Sequence, residues 1–135
     1  MKKLLFLPLV LIVSFCFAQD AKEIIGKPIK IGNLLVAQND FPKTMNWVDA
    51  GKSCSALGKG WRLPTQTELD VLYKNRKKIS NFANDWYWSS TEIENENGSK
   101  GYVYNAWSLN LYSGQSSYGN FSKEESHKLR AVRFF

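Results

Sequence analysis

Residues 60–74 read GWRLPTQTELDVLYK, and the order of residue types in this stretch decides the middle of the chain. Pro64 stands just outside a helix start, Thr65 is placed to cap it, and Glu68 completes the box Thr65-Gln66-Thr67-Glu68. Such a box satisfies two backbone amides that the first helical turn otherwise leaves without partners. Leu69, Leu72 and Tyr73 then recur at i, i+3 and i+4, the spacing of one helix face. A helix therefore begins at Thr65.

Working outward, Asn46 can cap an earlier helix over Trp47 to Leu57. Small or apolar residues recur there at Trp47, Ala50, Gly51, Cys54 and Leu57, and Gly58 follows as a stop. Before it, the β-like runs Ile29–Ile31 and Leu34–Ala37 flank Gly32-Asn33, which predicts a hairpin. After residue 82 the character changes. Ten of the 40 residues from Phe82 to Phe121 are aromatic, and most others are Ser, Asn, Gly or charged, a composition of strands and loops.

Within that half, Trp86–Ser90 reads as a strand and Glu92–Lys100 as a polar loop. Over 103–112, alternation puts Val103, Trp107, Leu109 and Leu111 on one face, with Tyr104, Ser108, Asn110 and Tyr112 on the other. A two-residue turn at Ser113-Gly114 would pair Tyr112 with Gln115, Asn110 with Ser117 and Leu109 with Tyr118. Leu129–Phe135, LRAVRFF, reads as a last, mostly buried strand. Hairpin, two helices and then several strands make an α+β domain.

The chain has 135 residues, 44% hydrophobic and 22% charged, which suits one globular domain and excludes a disordered tail. Lys2 and Lys3 precede an apolar run from Leu4 to Phe17 that ends at Ala18. Residues 1–18 are thus expected to be a secretory signal peptide, and 19–135 a single domain with no transmembrane span. The destination is then the periplasm, the cell surface or the exterior. Lipid on Cys16 is the alternative, disfavoured by the bulky Phe15.

Cleavage removes two lysines and lowers the formal charge from +6 to +4, a mild excess. Its one cluster, Lys74 with Arg76, Lys77 and Lys78, suits a helix end. Nucleic acid is not an expected partner. Cysteine usage narrows the reading further, because Cys54 remains as a single thiol and no internal disulfide can form. On the apolar side of its helix, Cys54 is expected to be a small buried hydrophobe.

Catalytic and metal chemistry find little purchase. His127 is the single histidine and lies in the polar stretch Ser122–Lys128, so it reads as an exposed surface side chain. One Cys and one His cannot build a structural zinc site. Glu92, Glu94 and Glu96 alternate as hard-cation ligands would, but the loop lacks the EF-hand order and reads as solvated. No metal and no cofactor is expected. What remains is a display of rings and carboxamides, Tyr104, Asn110, Tyr112, Gln115 and Ser117, suited to a saccharide or a protein surface.

GWRLPTQTEL at 60–69, together with YWSSTE at 87–92, Ala106-Trp107 and the closing LRAVRFF, resembles the bacterial collagen-like-protein C-terminal (Lcl C-terminal) domain, also called the major paralogous domain. The likeness covers about residues 29–135. It implies a C-type-lectin-like fold, two helices packed on a twisted, mainly antiparallel sheet with long irregular loops. RLPT before an acidic helix start is also similar to the formylglycine-generating enzyme superfamily, which shares that fold. The reactive cysteines and iron-binding histidines of its enzymes are not matched by one Cys54 and one His127, so catalysis is not implied.

Calcium-dependent lectins carry EPN or QPD and WND triplets, whereas this chain has Asn84-Asp85-Trp86 in another order. The resemblance further implies that Trp61, Leu63, Trp88, Trp107 and Val132 fill the core, while Arg62, Arg130 and Arg133 tie loops to carboxylates or carbonyls. The expectation is a secreted, adhesin-like, non-catalytic module that binds a glycan or a surface protein. Its alternative is a structural subunit of a cell-envelope complex, with the oligomeric state left open.

Overall fold

Gly32 adopts φ +59° and lets the chain reverse between Ile31 and Leu34, so β1 (Ile29–Ile31) and β2 (Leu34–Val36) pair as the expected hairpin. The computed structural model describes residues 20–93, 104–117 and 121–135. The expected signal peptide, most of the loop 92–100, Val103 and Tyr118 lie outside the described residues. Helix α1, described over residues 20–25, precedes the hairpin.

Helix α2 (Trp47–Ala56) begins where Asn46 accepts a hydrogen bond from the Asp49 amide, and Ala50 and Cys54 are buried on its inner side. Helix α3 (Gln66–Lys74) carries the full capping box at Thr65 and Glu68. A separate single turn, α4 (Arg76–Ile79), follows and buries Ile79. Beyond it come β3 (Trp86–Glu92), β4 (Ala106–Asn110) and β5 (Val132–Phe134). Two antiparallel sheets result, β1-β2-β5 and β3-β4.

The β3-β4 ladder runs between two apolar clusters. Tyr87 and Leu109 pack with Leu69, Leu72 and Val132, whereas Trp88 packs with Trp61, Leu63, Cys54 and Leu129. Both faces of this ladder are therefore interior. That corrects the half-exposed reading of 103–112: Ser108, set opposite Trp88, is buried and Trp107 only half-buried, so Trp107 is not a core residue. Polar-apolar alternation misleads here because serine is small enough to fill the space that a tryptophan leaves across the pair.

The β4 turn also differs from expectation. Leu109 bridges Ser116, and the Asn110 amide donates to the Gln115 carbonyl, a register two residues away from the expected pairing. The cause is Asn110, whose Oδ1 accepts from the Tyr112 and Ser113 amides while its carbonyl accepts from the Gly114 amide. An Asx turn thus widens the loop to residues 111–114. Because the slip is even, side chains keep their faces.

The closing segment is buried from Leu129 to Val132, but Phe134 and Phe135 are exposed, so the last strand is less buried than LRAVRFF suggests. Its buried part joins distant segments. Arg62 and Val132 exchange both backbone hydrogen bonds at 2.9 Å, the Ala37 amide donates to the Ala131 carbonyl, and Trp88 reaches the Lys128 carbonyl. Arg130, fully buried, donates from Nε to Asp40 at 2.8 Å and from its terminal nitrogens to the carbonyls of Ala37 and Asn81. Asp40 in turn accepts from Tyr87 Oη at 2.6 Å.

His127 corrects another expectation, because it is buried rather than exposed. Its ring lies edge-on to Trp88 at 4.4 Å and against Phe121 at 4.6 Å. Nε2 has no hydrogen-bond partner among the described residues, and the nearest carboxylate, on Glu125, is 3.9 Å away. Burial lowers the His127 pKa, and the Glu125 and Asp85 carboxylates only partly offset this.

Two measurements follow. Replacing Arg130 by Met or Asp40 by Asn breaks a buried ion pair and should each cost about 3 kcal/mol or more in urea unfolding. That is a large share of the ~5–15 kcal/mol typical of a domain. The unfolded chain protonates His127 near its ordinary pKa of ~6.5, while the native state resists until lower pH. Stability present above that pH should fall as acid passes through ~6.5 toward the depressed native value. His127→Phe, which keeps a ring in place, should remove this component between about pH 7.5 and 5.5.

Candidate functional site

Reactive side chains are shielded. Burial pushes the Cys54 thiol up to about 12, so it stays protonated and a poor nucleophile near neutral pH. Tyr87 is likewise raised by burial and by its hydrogen bond to Asp40. Burial would also raise Glu68, but hydrogen bonds from Arg62 and the Thr65 backbone outweigh it and hold the carboxylate below its usual range. Arg62 grips both Glu68 oxygens, at 2.6 and 2.9 Å, and Glu68 Oε1 also accepts from the Thr65 amide at 2.9 Å. The RLPT motif is thus a structural ring. Among the described residues no group of three or more His, Cys, Asp or Glu side chains could hold a metal ion.

The sequence-predicted display is split. Tyr104 and Tyr112 are 70% and 67% exposed, and Gln115 is exposed as well. Tyr104 and Asn110 are six positions apart, which along an extended strand is about 20 Å. Tyr104 therefore stands at one end of β4, while Tyr112 and Gln115 stand at the turn. Asn110 is half-buried and occupied by its turn. Ser117 is only 5% exposed, and its Oγ accepts from the Ser108 amide, so it does not belong to an exposed display. A serine placed to receive a backbone hydrogen bond looks in sequence like one placed for a ligand.

The more continuous surface lies on the outer side of α2. A shallow groove of about 710 Å³ is lined by Trp47, Val48, Gly51, Ser55, Arg62 and Leu63, most of it apolar. Its floor is open because Gly51 carries no side chain, and nothing lies within 4 Å of where a Cβ would sit. A second cleft of about 530 Å³, lined by Asn46, Val48, Asp49, Tyr104, Lys123 and Glu124, meets the first at Val48. Val48 is 51% exposed, a large fraction for a β-branched residue.

Local bonds hold the surface in place. The Trp47 indole donates to the Ser89 carbonyl at 2.8 Å, which fixes the ring against the irregularity in β3. Lys123 lies 4.2 Å over that ring and 3.1 Å from Glu92, while its carbonyl accepts from the Trp47 amide. An apolar centre with a charged rim of both signs is the anatomy of a protein-recognition patch. Sequence reasoning read Trp47 and Gly51 as an inward helical stripe and missed the groove. The outward Val48 beside a helical glycine was the available signal.

Comparison with known proteins matches this fold. Botrocetin shares it with a TM-score of 0.57 at 18% identity, over 81% of this chain and 96% of that one. EMS16, an antagonist of the collagen receptor integrin α2β1, shares it at 0.54 and 14% identity, over 80% and 97%. Rhodocetin, solved in complex with the integrin α2-A domain, shares it at 0.53 and 12% identity, over 82% and 98%. At these identities the likeness is one of C-type-lectin-like fold. No curated protein is similar enough in sequence to match the chain. The model of the Lcl C-terminal domain, in contrast, matches residues 27–133, nearly the whole described fold, and the chain belongs to that family.

Proposed function

We propose that the chain is a secreted, adhesin-like binding module that performs no catalysis and recognises a protein surface through the outer face of α2. The observation that carries this is the junction of two clefts at the exposed Val48, with Tyr104 standing beside it. Tyrosine and a β-branched side chain supply rigid contact area at low entropic cost, and Lys52, Asp49 and Glu124 form a charged rim around them. Lectin-like neighbours that bind integrin and other protein domains support a protein partner, although fold by itself is weak support for function.

Tyr104 is the member of the expected ligand set that this reading uses. Tyr112 and Gln115 form a separate exposed tip beside the turn. The alternative is a structural subunit that uses the same face for association with a second copy or a larger envelope complex. No described helix is long and apolar enough to cross a membrane.

Gly51→Gln offers a clean test, because it fills the groove floor while replacing a residue that weakens helices. Stability should hold or rise by about 0.5–1 kcal/mol. Binding to immobilised fibronectin, laminin or collagen, measured by biolayer interferometry, should be detected for the native chain and drop at least tenfold in Gly51→Gln and Tyr104→Ala. A stable oligomer in light scattering that Gly51→Gln dissolves, with no binding to these proteins, would instead favour the assembly reading.

A further inference from the structure

Phe134 and Phe135 turn their rings to solvent. Phe134 pairs with Leu34 at the end of β5, and the Phe135 amide donates to the Asn33 carbonyl at 3.4 Å, so both stand at the tip of the β1-β2 hairpin. They are 55% and 57% exposed, whereas Val132 just before them has no exposed surface. Single exposed apolar side chains are ordinary, but two adjacent rings at one hairpin tip form a patch.

Cations surround that patch. Lys30 Nζ lies 4.1 Å from the centre of the Phe135 ring, and the Arg62 guanidinium 4.6 Å from that of Phe134. Lys30 and Arg133 both pair with Leu35, so the two charges share one face of the sheet. A Cβ on Gly60 would stand 4.0 Å from that of Arg133, which brings the segment of the exposed Lys59 alongside. Segments 27–36, 57–63 and 128–135 meet through β1-β2-β5 and the Arg62 bridge to Val132. Together they hold seven of the 18 basic side chains and none of the 12 acidic ones. Arg62 and Arg130 are neutralised by Glu68 and Asp40, but Lys30, Lys59 and Arg133 form no ion pair among the described residues. Even a carboxylate closing Phe135 would leave the cations in excess.

We infer that this hairpin tip docks on an anionic phospholipid bilayer, with both rings among the headgroups and Lys30, Lys59 and Arg133 on lipid phosphates, independently of the α2 surface. Phenyl rings leave water at the boundary between headgroups and acyl chains, while long basic side chains lay their stems beside them and keep their charge at the headgroups. Anionic lipid attracts each such charge. Rings that bury about 150–250 Å² each when fully covered fall short of the ~800 Å² per partner of a standard protein interface. An acidic polymer would be held by the cations and would not need the rings. Charge and apolar surface are thus complementary to a lipid surface in particular. The attachment is reversible, because two rings are far less than the ~20 apolar residues of a membrane span.

The test is sedimentation of the chain, expressed in full and purified in its exported form, with lipid vesicles. Vesicles of equal parts phosphatidylcholine and phosphatidylglycerol should bind it at least tenfold more tightly than phosphatidylcholine alone, and added salt should weaken that binding. Phe134→Ser combined with Phe135→Ser should lower binding at least tenfold, and Lys30→Gln or Arg133→Gln about fivefold each. An unchanged unfolding midpoint checks that the double variant folds, and Lys30→Gln, altered at an exposed position, carries the test should that midpoint fall. Spin-labelled lipid should broaden the NMR amide signals of Arg133, Phe134 and Phe135 and spare those of α2. Gly51→Gln should bind vesicles as the native chain does, which separates this surface from the α2 groove. The proposal is overturned if phosphatidylglycerol does not raise binding, if Lys30→Gln binds as tightly as the native chain, or if the broadening falls on α2 instead. Undiminished binding by a folded double ring variant, the behaviour of a site for acidic polymers, overturns it too, as does an oligomer that this variant dissolves without any vesicle binding by the native chain.

Discussion

One buried guanidinium organises this fold. Arg130 has no exposed surface, yet its nitrogens reach Asp40, the Ala37 carbonyl and the Asn81 carbonyl, and its charge lies 4.4 Å from the centre of the Phe82 ring. A buried cation costs several kcal/mol of desolvation and is tolerated when carboxylate and carbonyls surround it with good geometry. Here those partners come from the segment after the hairpin and the loop before β3. Ser80 and Asn81 hold positive φ in that loop, a conformation costly for serine, and the contact to the Asn81 carbonyl helps maintain it. Tyr87 completes the network, so one charge fixes two loops, β3 and the closing segment.

The second constraint is the RLPT ring. Its backbone pairs with β5 while its side chains cap α3, so the helix start and the last strand are placed by the same few residues. Between these two anchors, the β3-β4 ladder is buried on both faces. The helices cover it from either side, and the outer face of α2 is left available with its glycine floor. Function, on this account, follows from what the core does not need: Val48, Gly51 and Tyr104 could change without touching either anchor.

Local signals in the sequence were strong where a backbone group needs a partner within a few residues. Asn46, Thr65, Glu68 and the Gly32 turn all appear as read, because capping and turn chemistry are short-range. The family motif likewise pointed to Arg130 as a tie between loops. The failures arose where tertiary packing decides. His127 sits in a polar stretch yet is enclosed by Trp88 and Phe121, residues distant from its own segment or unremarkable by it. Ser117 is buried with its Oγ accepting from the Ser108 amide, and Ser108 is buried by small size, its own Oγ having no hydrogen-bond partner among the described residues. The register beyond Asn110 was set by that side chain's own bonds to the turn, which loop length does not reveal.

The central claim, that the anchors unite hairpin, helices and ladder into one cooperative unit, is tested most directly by native-state hydrogen exchange. The amides of Ala37, Arg62 and Trp88 each cross between separate segments to reach the carbonyls of Ala131, Val132 and Lys128. They should all exchange with one free energy, equal to that of global unfolding from urea melts. If the Ala37 amide opened at a distinctly lower free energy while Trp88 stayed protected, the hairpin would be a loosely attached element and the account would be wrong.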